Sequence, residues 1–164
     1  MRYALASLVF LAPAALAQAA PAVPPGEEAV DPYVQSNANA GATPFAGDDM
    51  FKAFHGREGI GRIVDDLVDH VRTDPRIEEI FKATDLVRLR RTLKEQICYI
   101  LNGGCEYTGR DMKKSHEDQG ITTAEFNALV ELLQEAMDRE HVPFAAQNRL
   151  LAKLAQMKRD VVRR

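Results

Sequence analysis

One histidine lies in a stretch of sequence that differs from the rest of the chain. Residues 102–121 contain four glycines and few apolar residues, and His116 lies among charged residues in the second half of this stretch. A long irregular loop inside a compact domain is uncommon and is often functional. An imidazole nitrogen can ligate a metal or transfer a proton near neutral pH, whereas many histidines on polar loops are simply solvated. His116 is therefore the first candidate for chemistry, and the residue by itself leaves both interpretations open.

The only two cysteines, Cys98 and Cys105, flank the turn Asn102-Gly103-Gly104 that opens this loop. Two thiols are too few for a four-thiolate metal site or a disulfide-rich scaffold. In an oxidising compartment they can form one disulfide, provided that their α-carbons come within about 7 Å. Two unpaired thiols are the alternative. Cys98 and Cys105 are thus a candidate disulfide at the entrance to the His116 loop.

The bulk composition indicates one globular helical domain. The chain has 164 residues, of which 46% are hydrophobic and 27% charged, and it contains no Trp. This length is typical of a single domain, and the abundance of Ala, Leu, Glu and Arg favours helices. The net charge is −3 and no block of Lys or Arg is present. Without a basic surface to neutralise phosphates, we expect no nucleic-acid partner.

The first 17 residues have the features of an export signal. Arg2 precedes an apolar stretch, and Ala15-Leu16-Ala17 has the small-x-small pattern that signal peptidase cleaves. The apolar stretch is shorter than the roughly 20 residues that a membrane span needs. We therefore expect a periplasmic or secreted protein with no membrane span after cleavage, and an uncleaved anchor is the alternative.

Residues 18–47 differ in composition from the remainder of the chain. They hold five of the eight prolines and contain no Leu, Ile or Met. A segment with so little apolar surface cannot offset the entropy lost on ordering. The sequence predicts a flexible Ala/Pro-rich tether over 18–47 and a folded domain over 48–164.

The folded domain is predicted to be all-α. Apolar residues recur at helical spacing in four stretches, within 60–71, 86–101, 126–137 and 150–161. Thr122 and Glu125 have the spacing of a capping box at the start of the third helix. No stretch alternates apolar and polar residues for long enough to indicate a strand.

With these helices in place, the sequence resembles the first group of the truncated haemoglobins. The resemblance covers about residues 48–164 and rests on FHGREGI at 54–60, DPRI at 74–77, TDLVRL at 84–89, YTGRDMKKSH at 107–116 and GIT at 120–122. It implies a two-over-two helical sandwich around haem. It also implies that the loop over 102–121 accommodates the cofactor.

The resemblance assigns roles to nine residues. It makes His116 the proximal ligand of the haem iron, a role that suits a neutral imidazole whose other ring nitrogen is hydrogen-bonded. The other residues implied to contact haem are Phe81 on the porphyrin face, Val68, Leu89 and Leu93 on the distal side, Ile121 on the proximal side, and Thr84, Arg88 and Tyr107 at the propionates. For Arg88 a solvated helix face is the alternative. The chain has no Cys-x-x-Cys-His motif, so we expect haem b, bound without a covalent link.

The distal residues depart from the pattern of many relatives, which carry a Tyr and a Gln that donate hydrogen bonds to oxygen. Val68 and Leu93 stand at those positions, and Leu89 is apolar as well. A hydrogen bond to a charged group contributes about 1.5–3 kcal/mol. Its loss should speed oxygen release roughly 10–150-fold. Carbon monoxide and nitric oxide are less polar when bound and should be affected less.

The sequence is compatible with three functional classes. The first is a globin that reversibly binds a diatomic gas at a five-coordinate, histidine-ligated iron with an apolar distal pocket. The second is a haem-dependent nitric oxide dioxygenase or weak peroxidase. It would need an external reductase, because the chain has no flavin or nicotinamide fingerprint. The third is a haem-free helical interaction module, which would tolerate His116→Ala and would have no need of the glycine-containing loop.

Overall fold

The computed structural model describes residues 23–162, so the predicted signal peptide lies outside the described part. Within that part all regular structure is helical, as predicted, and no helix is long and apolar enough to cross a membrane. The helices are α1 (Asp49–Ala53), α2 (Gly56–Val71), α3 (Glu78–Phe81), α4 (Leu86–Ile100), α5 (Met112–His116), α6 (Thr123–Arg139), α7 (Phe144–Leu154) and α8 (Lys158–Val161), with 3-10 turns at Asn37–Ala40 and Ala155–Met157.

The core is built around α2, which packs against both α4 and α6. α7 packs in turn against α6, so that two helix pairs face each other. The buried side of α2 is apolar because its hydrophobic residues recur every three or four positions. Its buried hydrophobic residues are Ile60, Ile63, Val64, Leu67, Val68 and Val71.

The helix ends follow local sequence signals. The Asp85 side chain accepts a hydrogen bond from the Arg88 amide at 3.0 Å and starts α4. The predicted capping box of Thr122 and Glu125 is confirmed at the start of α6. The fourth predicted stripe, however, is divided: α7 ends at Leu154, and a 3-10 turn separates it from α8.

An ion cluster joins the C-terminal end of α6 to the start of α2. Arg62 Nε lies 2.9 Å and His55 Nδ1 lies 3.1 Å from the carboxylate of Glu140. The Arg62 guanidinium, and then the His55 ring, lower the pKa of Glu140 to about 2 against the opposing effect of burial. The cluster thus connects the start of α2 to the end of α6 at the protein surface.

The N-terminal segment (residues 23–47) lies against the helical body, where a flexible tether was expected. Ala40 is fully buried, and the Phe45 amide donates to the Ile100 carbonyl at the end of α4. Gln96 Nε2 donates to the Ala40 carbonyl at 2.8 Å. The expectation considered only apolar burial, whereas this segment docks mainly through hydrogen bonds and ion pairs.

Candidate functional site

The predicted proximal histidine, His116, is the last residue of α5. The Asp111 carboxylate caps α5 by accepting from the Lys114 amide at 2.8 Å. His116 is half-buried, and its Nδ1 lies 2.6 Å from the Met112 carbonyl oxygen one turn earlier. Because a carbonyl oxygen only accepts, Nδ1 carries the proton, and Nε2 of the neutral ring has the lone pair that a metal ligand needs.

The chain turns sharply after α5 and enters α6. Gly120 has φ +62°, a left-handed conformation that glycine adopts without steric cost. Ile121 comes next and is buried, and Thr122 then starts the capping box. Ile121 therefore lies along the chain between the histidine helix and the start of α6.

The loop that precedes α5 is held by Tyr107. This residue is buried, and its hydroxyl donates to the Arg110 carbonyl at 3.0 Å. Burial raises the pKa of the Tyr107 hydroxyl, which is therefore neutral at physiological pH. A Cβ at Gly109 would lie 2.3 Å from the Tyr107 hydroxyl oxygen, so only glycine fits at that position. The loop is thus closely folded on itself before it reaches His116.

The predicted disulfide residues lie at the entrance to this loop. The α-carbons of Cys98 and Cys105 are 5.7 Å apart, within the usual range for a disulfide, and their sulfur atoms are in contact. Cys98 is buried at the end of α4 and Cys105 is half-buried. The structure therefore brings the two thiols together as the sequence suggested.

The distal residues belong to one apolar cluster formed by α2 and α4. Val68 is fully buried in α2, and Leu89 and Leu93 are half-buried on α4 and pack against the same core. Phe81, at the end of α3, is half-buried and packs against it too. None of these side chains carries a hydrogen-bond donor. The structure thus brings the predicted distal residues and Phe81 to one apolar core.

Two polar side chains of α4 lie near the distal leucines. Gln96 is one and two turns beyond Leu93 and Leu89 on the same helical face. Its Nε2 donates to the Ala40 carbonyl and lies 3.4 Å from the Met112 sulfur. The Thr92 hydroxyl donates to the Arg88 carbonyl at 2.9 Å. Both donors are therefore satisfied by other protein atoms.

The three residues expected at the propionates do not share a hydrogen-bond partner within residues 23–162. The Thr84 hydroxyl bonds to the Ile80 carbonyl at 3.3 Å, and Tyr107 bonds within its own loop. Arg88 Nε lies 3.0 Å from a carboxylate oxygen of Glu27 in the N-terminal segment. Arg88 is therefore not simply solvated on the surface of α4, which was the alternative to a propionate contact.

Sequence reasoning missed Glu27 and Gln96. The Glu27 side chain is only 1% exposed and pairs with Arg88 and with Arg91. The partners lie 61 and 64 residues further along the chain, so no local pattern could reveal the pairs. Gln96 could have been noticed as a polar residue on the face of α4 that carries Leu89 and Leu93.

The metal-binding potential of the region rests on His116. Within residues 23–162 no group of three or more His, Cys, Asp or Glu side chains could together hold a metal ion. Three other histidines lie outside the site. His70 Nδ1 bonds to the Asp66 carbonyl at 2.7 Å, His55 belongs to the Glu140 cluster, and His141 is exposed at φ +59°.

Comparison with known proteins shows which protein family this chain matches. The profile of the family described as bacterial-like globin matches residues 49–163. Group 1 truncated hemoglobin GlbN of Nostoc commune is 30% identical over 88 residues, which cover 54% of this chain and 75% of that protein. The protein of the same description from Mycolicibacterium paratuberculosis is 26% identical over 112 residues, which cover 68% and 82% of the two chains.

Solved structures share the fold. The truncated hemoglobin of Tetrahymena pyriformis in its Fe(III) form has a TM-score of 0.67 at 20% identity, covering 70% of this chain and 98% of that one. The 2/2 hemoglobin of Synechococcus sp. PCC 7002, in the cyanomet state with covalently attached heme, has a TM-score of 0.64 at 22% identity and the same coverage. These likenesses confirm the predicted two-over-two helical architecture.

Proposed function

This chain belongs to the bacterial-like globin family, and within it to the group 1 truncated haemoglobins, and we propose that it reversibly binds a diatomic gas at a haem iron ligated by His116. The observation that carries the proposal is the 2.6 Å hydrogen bond from His116 Nδ1 to the Met112 carbonyl. This bond fixes the tautomer and the orientation of the ring, as partners of metal-ligating histidines generally do.

The other residues of the site suit a porphyrin. Its flat apolar faces need apolar neighbours, and the half-buried side chains of Phe81, Leu89 and Leu93, with Ile121 on the proximal side, supply them. His116 would hold the haem, which would supply an iron able to bind a small gas molecule. The absence of a Cys-x-x-Cys-His motif favours haem b held without a covalent link.

The distal side of the proposed site lacks a donor for the gas. Val68, Leu89 and Leu93 have none, and the donors of Thr92 and Gln96 are already bonded to protein acceptors. A gas that becomes polar on binding, such as oxygen, gains no hydrogen bond from these side chains. We therefore infer weak retention of oxygen and comparatively unaffected binding of carbon monoxide and nitric oxide.

We also propose that the protein is exported and that Cys98 and Cys105 form a disulfide. The signal-like sequence over 1–17 supports export, and the 5.7 Å separation of the two α-carbons supports the bond. N-terminal sequencing of protein from the periplasmic fraction should give Gln18 as the first residue. An intact protein whose sequence still starts at Met1 would contradict cleavage at this point.

The absorption spectrum tests the main proposal. Purified protein is loaded with haem. Its absorption spectrum is recorded first for the oxidised protein, then after reduction with dithionite, and then under carbon monoxide. We expect an intense Soret band that shifts with carbon monoxide and that is lost in His116→Ala. The matched control is His70→Ala, which removes a half-buried histidine outside the site and should keep the band.

Two results would contradict the proposal. Absence of a Soret band after haem addition would remove the globin function and leave a globin-shaped module. An unchanged spectrum in His116→Ala would place the iron ligand elsewhere.

A further inference from the structure

The carboxylate of Glu27 is almost fully buried although it lies in a segment with little apolar surface. Its side chain is 1% exposed and lies between two arginines of α4. Glu27 Oε2 lies 3.0 Å from Arg88 Nε and 2.9 Å from a terminal nitrogen of Arg91, and Oε1 also contacts Arg91 Nε. A buried carboxylate is stable only when it is paired in this way. The side chain therefore anchors the N-terminal segment to the distal helix.

Arg91 extends the contact from the distal helix to the loop that leads to His116. A terminal nitrogen of Arg91 donates to Glu95 at 2.9 Å and also contacts the Thr108 hydroxyl. The other carboxylate oxygen of Glu95 accepts from the Thr108 amide at 3.0 Å and from its hydroxyl at 2.7 Å. An unbroken series of polar contacts thus runs from Glu27 to Thr108.

The segment continues along the same loop after Glu27. The Tyr33 hydroxyl donates to the Thr108 carbonyl at 2.7 Å, and the Tyr107 amide donates to the Asn37 side chain at 2.7 Å. Asn39 Nδ2 donates to the Gly109 carbonyl at 3.2 Å. Three consecutive loop residues are therefore hydrogen-bonded to one segment, only a few positions before α5.

The segment then reaches a side chain of α4 that also contacts α5. The Ala40 carbonyl accepts from Gln96 of α4, and Gln96 also contacts Met112 of α5. Met112 is the residue whose carbonyl oxygen accepts the hydrogen bond from His116 Nδ1. Gln96 therefore connects the segment to α5 as well as belonging to α4.

We propose that residues 27–40 are a strap that positions the His116 loop, and that Glu27 is the positioning residue that anchors it. The strap holds the loop through residues 107–109 and holds α4 through Arg88, Arg91 and Gln96. The inference rests on the proposed function insofar as the loop carries the iron ligand. When the anchor is lost, the loop and α5 should separate from α4 more often, and haem should be lost faster.

Three variants of the full chain test the strap. Glu27→Gln removes the anchoring charge, and Glu27→Asp keeps the charge on a shorter side chain. Glu28→Gln is the matched control, since the contacts of Glu28 with Asp85 and Arg88 use its backbone amide and carbonyl and survive the change. The adjacent control removes the same charge from the same segment.

Two measurements are made on each variant. The first is the rate of haem transfer to an excess of a haem-free acceptor globin. We expect it to rise about 10–100-fold in Glu27→Gln, because the change removes the buried charge that pairs with both Arg88 and Arg91. We expect a smaller rise in Glu27→Asp and less than about a twofold change in Glu28→Gln, whose side chain is exposed.

The second measurement is amide hydrogen exchange in the haem-free chain. The amides of Tyr107 and Thr108 should exchange faster in Glu27→Gln, whereas amides in the core of α6 should not change. Equal behaviour of Glu27→Gln and Glu28→Gln would overturn the strap, and so would faster exchange throughout α6, which indicates a general loss of stability. If the wild-type chain takes up no haem, the proposed function fails, and the exchange result still decides whether the strap holds the loop.

Discussion

On the proximal side of the site, His116 ends a helix of five residues. A polar loop precedes that helix and is held by the hydroxyl hydrogen bond of Tyr107 and by loop amides that donate to the N-terminal segment and to Glu95. On the distal side, Val68, Leu89 and Leu93 lie on two long helices that pack through apolar surfaces. The two sides differ in what holds them, directional polar contacts in one case and hydrophobic burial in the other.

This difference has a chemical consequence. Polar contacts can orient a ring to within a narrow range, and the Met112 carbonyl does so for His116. Apolar packing shapes a cavity but offers nothing to hold a polar gas. On the proposed function, the protein therefore combines a closely oriented iron ligand with a distal side that does not favour oxygen over less polar gases.

The largest stability effect should come from the cysteines, which restrain the proximal loop. Replacing both Cys98 and Cys105 by Ser should lower the free energy of unfolding by about 2.5 kcal/mol, on the chain-entropy estimate for so short a ring. Chemical denaturation of the two proteins, with and without reductant, measures the difference. Reductant should weaken the wild type and leave the double variant unchanged.

The cysteine result also sharpens the comparison between the two sides. Reduction should increase amide exchange in the loop over 105–111 more than in α2, because the bond ties this loop to the end of α4 and neither cysteine lies in α2. Wild-type protein whose stability is the same with and without reductant would contradict a disulfide between these residues.

A smaller effect is expected from the ion cluster of His55, Arg62 and Glu140, which joins the end of α6 to the start of α2. The lowered pKa of Glu140 means that its charged form stabilises the fold above about pH 4.5, and this contribution is lost as the pH falls towards about 2. Because the Arg62 guanidinium is exposed and screened, we expect only about 1 kcal/mol. Glu140→Gln should remove this part of the acid dependence in denaturation curves recorded from pH 6 to pH 2.

Glu135, which is exposed near the end of α6, provides the control for the acid prediction. Glu135→Gln should leave the pH dependence close to that of the wild type. If the curves of the two variants coincide, the Glu140 cluster does not contribute to stability.

Much of the globin body could be predicted from the sequence because its signals are local. Apolar spacing predicted α2, α4, α6 and α7, and the Thr122–Glu125 pair predicted the start of α6. His116 could be singled out only as a histidine in an unusual loop. Its role as iron ligand came from the resemblance, and the Met112 hydrogen bond now gives a physical reason that supports it.

The arrangement of the N-terminal segment could not be predicted because it depends on distant partners. Its low apolar content indicated a tether, but a few polar contacts, above all those of Glu27, place it on α4. The same contacts engage Arg88, which the resemblance had assigned to a propionate. Long-range ion pairs of this kind leave no periodic pattern in the sequence.

The rate of oxygen release tests the central contrast most directly. Stopped-flow dissociation is measured for the wild type, for Leu93→Gln, which adds a distal donor, and for Leu93→Met, which keeps a similar volume without one. We expect release from Leu93→Gln to be roughly 10–150-fold slower than from the wild type, and release from Leu93→Met to change by less than about threefold. Equal rates for the two variants, or a wild type as slow as a tyrosine-bearing relative, would contradict a distal side without a hydrogen-bond donor.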